Sequence, residues 1–136
     1  YGSDMREKWQ DVYDFDIIGH FDLITKFDET DSPLFLNNAE YNRIAETYLT
    51  EAAKSGCLFE VNTGAVARGI RKTVYPSENL LYLLKKLDVP LILSSDSHSA
   101  DTLDFGFEET KRHLRDIGFR HMFTLFNNEF VKYSIV

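Results

Sequence analysis

Short apolar runs alternate along this chain with stretches whose apolar residues recur every three or four positions, and that alternation constrains the fold more than any other feature. Asp14 to His20 (DFDIIGH) is a β-branched apolar run ending in Gly-His, which reads as a buried strand. From about 37 to 55, Tyr41, Ile44, Ala45, Tyr48, Leu49 and Ala52 fall on one helical face, and Gly56 follows where a left-handed cap is wanted. Cys57 to Asn62 reads as a second strand, followed by a loop rich in Gly and Arg over 63–75. Ser77 is placed to cap a second helix, whose period runs through Leu80, Leu83, Leu84 and Leu87 until Asp88-Val89-Pro90 stops it. Leu91 to Ser95 is a third strand, about 102–117 a third helix closed by Gly118, and His121 to Phe126 a fourth strand, while 127–136 carries no clear pattern. Strands separated by helices imply parallel crossovers, because a parallel connection needs about a dozen residues to return to the same end of the sheet. The expected class is α/β in one domain, with ligands at the carboxyl ends of the strands whether the sheet is open or closed.

Composition narrows the partners. Twenty-two acidic against fifteen basic residues in 136 leave a formal charge of −7, which disfavours a nucleic acid polymer, since sequence-independent affinity for one comes from neutralising phosphates. The apolar runs fall far short of the roughly 20 residues that span a bilayer, and the mean hydropathy is −0.29, so no membrane partner is expected. Cys57 is the single cysteine; it permits no intrachain disulfide and no thiolate metal cluster, which fits a reducing, cytoplasmic setting. The opening YGSDMREKWQ has no initiator methionine and no leader pattern, and is expected to mark an excised fragment.

Polar residues gather where the strands end. His20 closes the first strand, Glu60 and Asn62 the second, and Asp96 with His98 follows the third. Imidazole and carboxylate together suit Zn, Mn or Fe better than calcium, and an Asp-x-His spacing lets both side chains project to one side of a tight loop. The plainer alternatives are that Asp96 caps the next helix, that His98 is a solvated loop residue and that His20 is a hydrogen-bonded core edge. Asp22 is placed either to orient His20 or to cap a turn. Arg68, Arg71 and Lys72 concentrate positive charge directly downstream of a strand end in an acidic chain, where a guanidinium fork suits a phosphate. Arg68, between small residues, is the first choice; the alternative is an exposed basic loop. His113, His121 and Trp9 read as ordinary surface or packing residues, and Cys57 as a small buried hydrophobe.

Taken in order, DIIGHFDLI at 16–24, FEVNTGAVARG at 59–69, YPSENLL at 75–81 and LILSSDSHSADTLDFGFEE at 91–109 resemble the C-terminal half of the histidinol-phosphate phosphatases in the PHP (polymerase and histidinol phosphatase) superfamily. The resemblance implies that 1–136 is a partial PHP domain, the C-terminal part of a distorted (β/α)7 barrel with up to three divalent metals, Zn, Mn or Fe. It implies metal ligation by His20, Asp96 and His98, with Asp96 and His98 in the catalytic centre, and substrate contacts by Arg68, Glu60 and Asn62. The implied activity is hydrolysis of L-histidinol phosphate in histidine biosynthesis, with a small phosphorylated molecule as partner. The family's N-terminal H-x-H pair and bridging glutamate have no counterpart here, so the isolated polypeptide is expected to bind metal weakly or incompletely and to be inactive. A phosphoesterase acting on nucleotides or other esters, and a non-catalytic half-barrel interaction module, are the rival expectations. A half-barrel also leaves strand edges and apolar helix faces uncovered, which favours self-association.

Overall fold

Residues 16–136 are described by a computed structural model; Trp9 and the start of the expected first strand, Asp14 and Phe15, lie outside them. One sheet holds five strands in sequential order, β1 (Ile17–Ile18), β2 (Leu58–Asn62), β3 (Leu91–Ser94), β4 (His121–Phe126) and β5 (Glu129–Ser134). The first four run parallel and the last antiparallel. Helices α1 (Ala39–Ala53), α2 (Gly64–Ala67), α3 (Glu78–Lys86) and α4 (Phe107–Ile117) fill the connections, giving the expected α/β class. Among the described residues, no helix is long and apolar enough to cross a membrane.

Local chemistry sets the helix ends. Asn38 opens α1 by accepting the Tyr41 backbone N–H at 2.9 Å, a standard N-cap that satisfies one orphan donor. In α3, Glu78 sits in the first turn and Lys85 and Lys86 in the last, each sign matching the helix dipole. The 3.6-residue period is met in part: Ala45 and Leu49 of α1 and Leu80 and Leu84 of α3 are buried, while Ile44, Tyr48 and Leu87 are exposed and Leu81, off the expected face, is buried. The buried residues pack with Phe59, Val61 and Leu91 of the sheet, with Leu114, Met122 and Ile135 joining from the C-terminal part. Truncating a fully buried leucine such as Leu84 in a core of this kind costs about 2–5 kcal/mol.

Two expectations are corrected. The helix placed at 102–117 begins only at Phe107, because Gly106 at φ 70° interrupts it and a 3-10 turn occupies Ala100–Thr102. The sheet is not wholly parallel: Asn127 and Asn128, at φ 49° and 63°, turn the chain back so that β5 pairs with β4 from His121↔Ser134 to Phe126↔Glu129. Two consecutive residues at positive φ are what a tight hairpin turn of right-handed twist demands, and asparagine tolerates that region.

Candidate functional site

The ends of β1, β2 and β3 lie side by side because Ile18 pairs with Phe59 and Asn62 with Ser94. Just beyond them is a cavity of about 390 Å³ whose wall includes His20, Asn62, Arg68, Asp96 and His98, completed by Leu23, Lys26 and Tyr75. Residues from three separate strand ends, up to 78 positions apart by their numbers (20 and 98), thus face one space. Glu60 stands behind the wall, where its carboxylate accepts the His20 backbone N–H at 2.7 Å.

The backbone around this cavity is held in costly conformations. His20 has φ 22° and Asp96 φ 46°, a region that residues with a Cβ seldom enter and that clusters at functional sites. Glu60 steadies the first of these turns through the His20 amide. The second is tied to the β2 side by Arg68, whose Nη1 donates to the Asp96 carbonyl oxygen at 3.3 Å. Asn62 turns its Oδ1 to the Gly64 N–H at 2.8 Å, and the Thr63 N–H donates to the Ser94 carbonyl at 2.9 Å. A Cβ on Gly64 would lie 2.5 Å from the Ser95 carbonyl oxygen, so only glycine allows the two strand ends to approach this closely. Asp96 does not cap the following element, whose N-cap position is Ser99.

His20, Asp96 and His98 match a transition-metal dication in kind, but not in number or convergence: among the described residues, no group of three His, Cys, Asp or Glu side chains could hold an ion.

Beneath the cavity lies a polar core that the sequence placed elsewhere. Arg71, expected to share phosphate binding with Arg68, is 4% exposed. Its Nη1 donates to the Thr25 carbonyl at 3.0 Å and to the Thr25 hydroxyl, and Nη2 to Thr73 Oγ1 at 3.0 Å. Asp22 neither orients the His20 ring nor caps a turn with its side chain; its Oδ2 accepts the Ser77 N–H at 2.9 Å and the Ser77 hydroxyl. Asp28 accepts the amides of Leu34, Phe35 and Leu36 at 2.6, 2.9 and 2.6 Å. Burial alone would push its carboxyl up, but those three amides and the Arg71 charge outweigh it and hold the group below its ordinary value. Lys72 lines a second cavity, of about 310 Å³, together with Glu78 and His113. There His113 Nε2 lies 2.6 Å from Glu78 Oε2, and His121 is exposed at the start of β4.

Lys26 and Tyr75 are cavity residues that periodicity and spacing did not single out. Lys26 follows a 3-10 turn at Leu23–Thr25, and its only signal is a cation six positions after His20. Tyr75 belongs to the Tyr-Pro pair that closes the basic loop.

Comparison with known proteins adds an independent line. No family model matches the chain. A probable histidinol-phosphatase of Schizosaccharomyces pombe is 34% identical over 103 residues, covering 75% of this chain and 33% of the relative. A probable histidinol-phosphatase of Deinococcus radiodurans is 29% identical over 113 residues, covering 79% of this chain and 40% of the relative. The chain therefore spans about a third to two fifths of the length of the curated relatives it matches. Over three quarters of its own length, it is similar to proteins named as histidinol-phosphatases.

Proposed function

We propose that this chain forms the C-terminal part of a PHP-type barrel that hydrolyses phosphomonoesters, with L-histidinol phosphate as substrate and L-histidinol and phosphate as products. The observation that carries the reading is the single cavity into which three parallel strand ends bring Arg68, His20, Asp96 and His98. A guanidinium fork at a strand-end cavity binds a phosphate dianion through two parallel N–H bonds and gives its charge a fixed counterpart. The Asp96 carbonyl holds one arm of that fork, and Asn62 fixes Gly64, four positions before Arg68. Asp96 and His98 line the same cavity as His20, and the reading assigns them to its reacting end. Divalent Zn, Mn or Fe would supply further charge neutralisation and a more acidic water; His20, Asp96 and His98 are proposed as part of a donor set that the remainder of a longer protein completes.

The test is phosphate release by the full-length protein, loaded with Mn, from histidinol phosphate and from a panel of nucleotides. Preference for histidinol phosphate supports the reading. Preference for nucleotides would move it to another phosphoesterase of the same kind, and release from neither would remove it. A second reading, self-association of a half-barrel, draws on the exposure of Phe27, Leu34, Leu125 and Phe126 at 74%, 73%, 58% and 64%. Light scattering that finds only monomer at high concentration would remove that one.

A further inference from the structure

Three buried side-chain oxygens among the described residues have no hydrogen-bond partner: Asp22 Oδ1, Thr63 Oγ1 and the Tyr75 phenol. Folded proteins leave few such groups without a reason. Of the three residues, Tyr75 is the one that also lines the strand-end cavity, beside Arg68. Its position is tightly fixed. The Tyr75 N–H donates to the Asn62 carbonyl at 3.1 Å and the Asn62 N–H to the Tyr75 carbonyl at 2.9 Å, which staples the residue to the end of β2. The Arg71 guanidinium lies over the ring at 4.5 Å, and Arg71 is itself held by Thr25 and Thr73. At 2% exposure, the ring is buried within that arrangement.

Burial is the main influence raising the phenol above its ordinary value, opposed by the Arg71 charge and a hydrogen bond from Arg71, aided by Asp22 and opposed again by Arg68; a guanidinium only donates, so the phenol's own proton is left without an acceptor. A neutral phenol offers one donor and suits an anionic acceptor.

We propose that Tyr75 is a substrate-binding residue whose O–H donates to an oxygen of the phosphate group held by Arg68. The inference rests on the phosphomonoester reading above and adds a second donor, neutral and preorganised, to the charged one. Arg68 is exposed, so its long side chain must be ordered on binding, whereas the Tyr75 ring is already fixed by the Asn62 bridge and the Arg71 stack.

The experiment is titration of inorganic phosphate into the full-length protein by calorimetry, comparing the unmodified chain with Tyr75→Phe and Arg68→Ala. Phenylalanine keeps the ring under Arg71 and removes only the unpartnered hydroxyl. The dissociation constant of Tyr75→Phe should rise about 10-fold, with its ligand-free thermal midpoint unchanged or higher. A purely structural hydroxyl would give the opposite pair, an unchanged phosphate affinity and a lowered midpoint, and would overturn the proposal. Phosphate binding that depends on Arg68 but not on the Tyr75 hydroxyl would overturn this inference alone. An unmodified protein that binds no phosphate would overturn both it and the reading beneath it.

Discussion

The strand-end cavity and the polar core beneath it are built from the same stretch of chain, yet they treat the same residue type in opposite ways. Arg68 and Arg71 lie three positions apart at the end of α2. Arg68 is exposed, has one long hydrogen bond to the Asp96 carbonyl at 3.3 Å and fronts a cavity. Arg71 is buried, bonded to Thr25, Thr73 and Ser77, and stacked on Tyr75. A guanidinium whose donors are already engaged stabilises a fold; one with free donors at a cavity recognises a ligand. Charge in a loop does not disclose its purpose until the partners of each N–H are known.

That contrast can be broken by mutation, and the largest effect is expected in the core. Arg71→Ala would leave the Thr25 carbonyl and the surrounding hydroxyls unpaired in a buried space, and should cost about 3–5 kcal/mol. Urea denaturation measures this, and a loss below about 0.5 kcal/mol would place Arg71 with the ordinary surface cations. Next comes Arg68→Ala, which should weaken phosphate binding or raise KM by roughly 10- to 100-fold through a lost charged hydrogen bond, while stability stays within about 0.5 kcal/mol. An Arg68→Ala variant that loses more than about 1 kcal/mol of stability yet binds phosphate with unchanged affinity would invert the comparison.

Gly64→Ala sharpens it from the other side. The new Cβ would meet the Ser95 carbonyl oxygen at 2.5 Å, and the strand ends must part at a cost of about 1–3 kcal/mol. Stability and phosphate affinity should fall together, because Gly64 supports both the sheet and the placement of Arg68. Thermal melts and phosphate titration of one sample check this.

The smallest expected effect is acid sensitivity from Asp28. Its folded carboxyl ionises below the ordinary value of 3.8, so its contribution is present above about pH 4 and is lost as the group is protonated at lower pH. Denaturation curves of the unmodified chain should therefore show falling stability below that point, and Asp28→Asn should flatten that part of the profile. An unchanged profile in Asp28→Asn would mean that the Leu34–Leu36 loop is held by something other than its amide bonds to Asp28.

Much of this was legible in the chain itself. Helix α1 follows from Tyr41, Ala45, Leu49 and Ala52 at helical spacing, and β4 has the predicted bounds of His121 to Phe126. Most residues expected at the strand ends, Glu60 excepted, lie around one cavity, because parallel pairing brings consecutive strand ends to one edge of the sheet. That rule is why His20, Asn62, Arg68, Asp96 and His98 meet in one cavity; their chemical roles remain the proposal made above. What periodicity missed depends on distant partners. Arg71 is buried because Thr25, 46 positions earlier, supplies two acceptors, and no local pattern encodes that meeting. Tyr75 enters the cavity wall through its bridge to Asn62. The hairpin at Asn127-Asn128 had a local signal, two residues tolerant of positive φ, which a search for alternating apolar residues passed over.

The most direct test of the contrast between the two arginines is a phosphate titration followed by the side-chain Nε–H resonances of both in one NMR spectrum of the full-length protein. The account predicts a saturable shift of Arg68 with Arg71 nearly stationary. A stationary Arg68, or a shift of Arg71 as large as that of Arg68, would contradict it.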